Sequence, residues 1–114
     1  SLTSLSGLDS LHSALNFYVW VCSSITSLNG INQLRGDIPY GISLWANPNL
    51  TDVSALQNIT AVTNAKFEIN DCSSLSNLNG IQNLNNISAL WLTNLPLITN
   101  LSVFNTALNI TNSN

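Results

Sequence analysis

The side chains best suited to chemistry are few in this chain and far apart. His12 is the only histidine, and although Asp9 lies close to it, no nucleophile that the pair would activate can be named. His12 reads as a solvated turn residue. Cys22, Cys72 and His12 are too few and too widely separated to form a metal centre. Glu68 and Asp71 are neighbours, but Lys66 falls on the same side as Glu68, which reads as an exposed ion pair worth ~0–1 kcal/mol. There is no glycine-rich phosphate loop. The expectation is a protein that is not an enzyme and that has no cofactor and no metal.

Two other groups of residues point to contact rather than catalysis. The first is aromatic: Tyr18, Trp20, Trp45 and Trp91. The second is a set of acceptor triplets for N-glycosylation at Asn49, Asn58, Asn86, Asn100 and Asn109. With 19 Asn, and Ser plus Thr at about 22% of the chain, roughly four such triplets arise by chance. They permit a glycoprotein without demonstrating one.

The element that must position the aromatics is best seen between Gly41 and Ile59, GISLWANPNLTDVSALQNI. Ile42, Leu44 and Ala46 alternate with Ser43 and Trp45, the period-two pattern of a strand with one buried face. Asn47-Pro48-Asn49 signals a turn. Leu50, Val53, Leu56 and Ile59 then recur every third residue. A strand, a turn and a period-three run make one coil of a solenoid.

The coil repeats. Its period-three runs begin at Leu2, Ile25, Leu50, Leu75 and Ile98, so the spacings are 23, 25, 25 and 23 residues, a period typical of leucine-rich repeats. Before each new run come the apolar pairs Phe17 and Val19, Ile42 and Leu44, Phe67 and Ile69, Leu90 and Leu92. A small residue recurs at Gly7, Gly30, Ala55 and Gly80, where a tight bend needs little bulk or a positive φ. Amphipathic helices are the competing reading, but Asn and Ser are poor helix formers, and spacing three without four does not hold one helical face. The pattern predicts an all-β, right-handed parallel β-solenoid of about four and a half coils, a single domain over 1–114 that is uncapped at both ends, either as a fragment of a longer array or as a stacking protomer. Tyr18, Trp20, Trp45 and Trp91 should face outward with Ser43, Glu68, Asn70 and Thr93. Exposed aromatics in a stripe often mark a contact surface.

Cys22, Asn47 and Cys72 share one column three residues before the next run, with Leu95 in the last coil. Two coils at about 4.8 Å each put the cysteines about 9.6 Å apart, beyond the ~7 Å a disulfide tolerates. Free thiols buried at the turn are expected.

Composition narrows the partners. Charged residues make up only 6% and the net charge is -3, against about 25% charged residues in ordinary soluble proteins. With Arg35 and Lys66 as the only basic side chains, nucleic acid is not an expected partner. No apolar run approaches the roughly 18 residues of a membrane span, so membrane insertion is not expected either.

ISLWANPNLTDVSALQNI and SSLSNLNGIQNLNNISALWLTNLP resemble the receptor L-domain family, the leucine-rich, β-helical relatives of leucine-rich-repeat proteins. These occur in growth-factor receptor ectodomains and microbial surface proteins. The likeness runs from Leu2 to Phe104 and implies an extracellular or cell-surface, non-catalytic solenoid. Two features depart from the family: no cysteine lies near either terminus, and no binding motif carries over to the strand face. Uncapped ends and low charge make the first functional expectation a structural unit that stacks head to tail with copies of itself into a filament or surface layer. The alternative is a recognition or adhesion module that binds another protein or a glycan through its aromatic face.

Overall fold

The computed structural model describes residues 2–104 and the backbone of 109–110. Its described residues form no α-helix. The strands are β1 (Phe17–Trp20), β2 (Gly36–Asp37), β3 (Ile42–Trp45), β4 (Ile59–Asn70), β5 (Asn86–Thr93) and β6 (Asn109–Ile110), with one 3-10 turn at Ser54–Leu56. Every strand pairing is parallel, in the order β1-β3-β4-β5-β6, with β2 beside β4. The chain is an all-β solenoid of parallel strands.

Register follows the repeat. Phe17 lies opposite Ile42, Ile42 opposite Phe67, and Phe67 opposite Leu90. The outward column runs Trp20, Trp45, Asn70, Thr93 in the same way. Each coil buries its apolar face only because the next coil stacks on it. Ile25, Leu50 and Leu75, and likewise Leu34, Ile59 and Leu84, are buried files of one core. A further file, Ile38, Val62 and Ile87, is fully buried and was not anticipated from the sequence. Its members follow the closing residue of each run at uneven intervals, so no single period reveals them.

The solenoid has about three turns rather than four and a half. The cause lies in the first and last runs. In the first, Leu5 is buried, but Leu2 is 49% exposed and Leu8 42% exposed. In the last, Leu101 is exposed, and Ile98 and Phe104 are only partly buried. Among the described residues these runs copy the apolar period without being closed off from solvent. Leu90 and Leu92, expected in the interior, are half-buried, and the described part of β6 pairs with β5 only at Asn86 and Ile87.

The bend after each core run is tight. Gly30 has φ +120, and a Cβ on it would lie 2.2 Å from the Leu5 carbonyl oxygen. Gly80 has φ +118 and would place a Cβ 2.5 Å from Ser54 Cα. These glycines therefore let one coil's backbone sit directly on the coil before. Ala55 occupies the same column inside the 3-10 turn, where Asp52 Oδ1 accepts the Ser54 N–H at 2.7 Å. Hydrogen bonds from Ser54 hold the Asp52 carboxyl below its ordinary pKa.

A second bend ends each long strand, and it is left-handed. Val21, Ala46, Asp71 and Asn94 all have φ between 50 and 58. Asp and Asn tolerate this region; a β-branched valine does not.

Two expected outcomes follow, both readable by urea denaturation. Gly30→Ala should cost more stability than Gly7→Ala, because Gly7 meets nothing within 4 Å and suffers only the φ penalty of about 1–3 kcal/mol. Val21→Asn should stabilise the fold by about 1 kcal/mol by relieving left-handed strain.

Candidate functional site

Strand pleat places the rings. Tyr18 and Trp20 alternate with buried Phe17 and Val19 on β1, Trp45 follows buried Leu44 on β3, and Trp91 lies between Leu90 and Leu92 on β5. All four rings are exposed. Tyr18 and Trp20 stack with centroids 5.5 Å apart and planes 7° apart. Trp20 meets Trp45 edge-on at 5.7 Å and 86°. Such pairs contribute about 0.5–1.5 kcal/mol each beyond area burial.

Trp91 stands apart from this cluster, three rungs from Tyr18, or about 14 Å at ~4.8 Å per rung. A polar chain spans the gap. Trp20 Nε1 donates to Ser43 Oγ at 2.8 Å, and Ser43 Oγ donates to Glu68 Oε1 at 2.9 Å. Lys66 Nζ lies 3.4 Å from the same Oε1 and 3.9 Å from the centre of the Trp91 ring. The series ties β1, β3, β4 and β5 together. Tyr18 is held separately, its hydroxyl donating to the Tyr40 carbonyl at 3.1 Å.

This arrangement corrects two expectations. Ser43 and Glu68 belong to the outward columns, yet they are only 2% and 8% exposed. The Lys66–Glu68 pair is exposed at its lysine end only: the Lys66 side chain is 38% exposed, whereas the carboxylate is largely covered and satisfied by a second donor.

Beside this pair the strand register is not uniform. Between Val62 and Lys66 the pairing of β4 slips relative to Ile87 and Ala89 of β5, so β4 carries two residues more. The surplus forms a ledge at Thr63–Ala65. Thr63 Oγ1 donates to Asp37 Oδ2 at 2.7 Å, and the Asn64 N–H donates to the Pro39 carbonyl at 2.8 Å. Where the ledge ends, a depression of about 350 Å³ opens. Tyr18 and Trp91 stand on its walls, and Asn64, Lys66 and Ser88 line it with polar side chains. The sequence pattern missed Tyr40, Asn64 and Ser88. The 25-residue inner spacing beside a 23-residue outer one was the available signal.

The turn column is built on Asn47, which is fully buried. Its Oδ1 accepts the Cys22 N–H at 2.9 Å and its Nδ2 donates to the Val19 carbonyl at 2.8 Å. Cys22 and Cys72 are free thiols. Cys72 is fully buried, whereas Cys22 is only half-buried. Burial pushes the Cys72 thiol up from its ordinary value, against the opposing pull of hydrogen bonds from Asn47.

The acceptor asparagines differ in what they already do. Asn49 Nδ2 donates to the Ser23 carbonyl at 2.6 Å and Asn58 Nδ2 to the Asn32 carbonyl at 2.9 Å, so a glycan on either would compete with an inter-coil bond. Asn86 is half-buried in β5. Asn100 Oδ1 accepts from Ser102, which leaves its nitrogen out of that contact. The Asn109 side chain lies outside the described residues. Among the described residues, no three His, Cys, Asp or Glu side chains converge on a metal position, and no helix is long and apolar enough to cross a membrane.

The chain matches no protein-family model, no curated protein and no solved structure. The aromatic face offers rigid rings, a nearly neutral polar floor and no activated group.

The thiols give a direct check on the turn column. At pH 8, iodoacetamide should modify Cys22 well before Cys72, as read by mass spectrometry of peptides. The raised Cys72 pKa favours the folded state below the ordinary thiol pKa of ~8.5, and that contribution should fade as pH climbs past it.

Proposed function

We propose that this chain is a non-catalytic, extracellular recognition module: a right-handed, leucine-rich-repeat-like solenoid that presents its aromatic strand face to a partner. One observation carries the reading. Four large rings face solvent, and two of them are tied to buried groups, Trp20 to Ser43 directly and Trp91 to Glu68 through Lys66. Exposed rings held by buried bonds lose little freedom on binding, so more of the contact energy reaches affinity. Tyr and Trp are also the side chains most enriched where interfaces concentrate their energy. Right-handedness accords with the strong bias of parallel crossover connections. The buried Asn47, bonded to backbone on both sides, supports the leucine-rich-repeat likeness. The acceptor triplets and the sparse charge are compatible with a cell-surface setting.

A second reading, head-to-tail stacking into a filament, draws on the first coil. Leu2 and Leu8 are exposed there, and Gly7 faces open space where Gly30 and Gly80 press on a preceding coil. That surface accepts another coil, whether from the same chain or from a second one. The aromatic face is favoured because its rings are individually oriented.

The test compares the intact chain with the double variant Trp20→Ser, Trp45→Ser on immobilised extracellular proteins and glycans. Recognition predicts at least a tenfold loss of binding in the variant at a temperature where circular dichroism shows it folded, its melting temperature falling by several degrees with the lost ring contacts and the Trp20–Ser43 bond. Equal binding by both would refute it, and regular fibres of the isolated chain in negative-stain micrographs would favour stacking.

A further inference from the structure

We infer that the depression between Tyr18 and Trp91 is the seat of a neutral oligosaccharide, an assignment that rests on the recognition reading and narrows it to one class of ligand. The first support is geometric. Tyr18 and Trp91 are about 14 Å apart at ~4.8 Å per rung, a span suited to a short chain of sugar rings rather than to one ring. The space between them, about 350 Å³, is a shallow furrow running across the strands.

Its chemistry alternates. Pyranose rings with equatorial hydroxyls have flat, apolar C–H faces and a hydrogen-bonding rim. The furrow has an aromatic ring at each end and amide, hydroxyl and ammonium groups between them, from Asn64, Ser88 and Lys66, while the Ser43 hydroxyl beneath is already engaged by Trp20 and Glu68. Small residues, Gly41, Ala65 and Ala89, keep the floor low enough for a ring to descend. Gly41 has φ +113, and a Cβ there would stand 3.3 Å from the Lys66 carbonyl oxygen and 3.4 Å from both Ala65 Cβ and the Tyr18 hydroxyl, so glycine keeps this corner of the furrow open.

Charge selects against ionic ligands. Lys66 is the only basic side chain of the site, and both Glu68 and the Trp91 ring already engage its ammonium. An acidic sugar would have to compete with Glu68 for that one cation. A cationic ligand would find Glu68 almost wholly covered. A neutral ligand disturbs neither contact, and it can stack beside Lys66 on the exposed part of Trp91.

The same layout disfavours a protein as occupant of the furrow. Energetic residues of protein interfaces cluster near the centre of a patch and are ringed by weaker contacts. Here the polar groups occupy the centre and Tyr18 and Trp91 stand at the margins.

The experiment titrates the intact chain with cellohexaose, chitohexaose, laminarihexaose and mannohexaose, and with hexagalacturonate as the acidic counterpart. Intrinsic tryptophan fluorescence and calorimetry report binding. Saturable binding of at least one neutral sugar is expected, tighter than that of hexagalacturonate. Trp91→Ala and Tyr18→Ala, both at exposed rings, should each weaken it at least tenfold, with circular dichroism confirming that both variants remain folded. The assignment is overturned if no neutral sugar saturates, if hexagalacturonate binds best, or if Trp91→Ala binds like the intact chain. Binding of an immobilised protein through the aromatic face, without any sugar, would overturn the oligosaccharide and leave the recognition reading standing. Loss of both would remove the two together.

Discussion

Parallel pairing of each strand with its own counterpart one coil away is the constraint on which everything else in this molecule depends. It requires like residues to stack on like, because a one-residue slip would turn the core files outward. Phe17, Ile42, Phe67 and Leu90 satisfy that demand inside, as Trp20, Trp45, Asn70 and Thr93 do outside. It also requires backbones to approach closely at the corners. Gly30 and Gly80 meet the coil before at distances no side chain would allow. Where glycine is absent, the chain uses a short 3-10 turn instead, at Ser54–Leu56.

A strictly uniform repeat would give a smooth face. The candidate site exists because the repeat is not uniform. Two residues of surplus in β4 lift a ledge beside the shorter β5, and the step between them is the furrow. The ledge is not loose: Asp37 and Pro39 of the coil before bind it through Thr63 and Asn64. Irregularity of this sort commonly marks function in β structure, since a bulge re-aims side chains that the pleat would otherwise repeat.

Electrostatics enters sparingly but at the right place. Two of the chain's few charged residues, Lys66 and Glu68, form one pair at the middle of the aromatic face. Its carboxylate is largely covered, so the pair is screened less than a surface one. The Ser43 hydroxyl and the Trp91 ring complete it from two neighbouring strands. Charge here orients rings and crosslinks coils; it does not advertise a charged partner.

The residues alone were sufficient to determine the parallel all-β solenoid, the pairing register, the buried turn column at Asn47 and the outward set of four rings. Period and side-chain type carry that information, because burying an alternating strand beside a period-three run leaves few arrangements. Other properties belonged to the folded molecule. The end runs at Leu2 and Ile98 have the right period, yet apolar period cannot say whether a neighbour covers them, and the turns number about three. Ser43 and Glu68 look like surface residues by alternation; only the folded molecule makes them buried connectors between Trp20 and Lys66. The furrow likewise follows from where two extra residues rise out of the sheet, a three-dimensional consequence that a count of spacings does not contain.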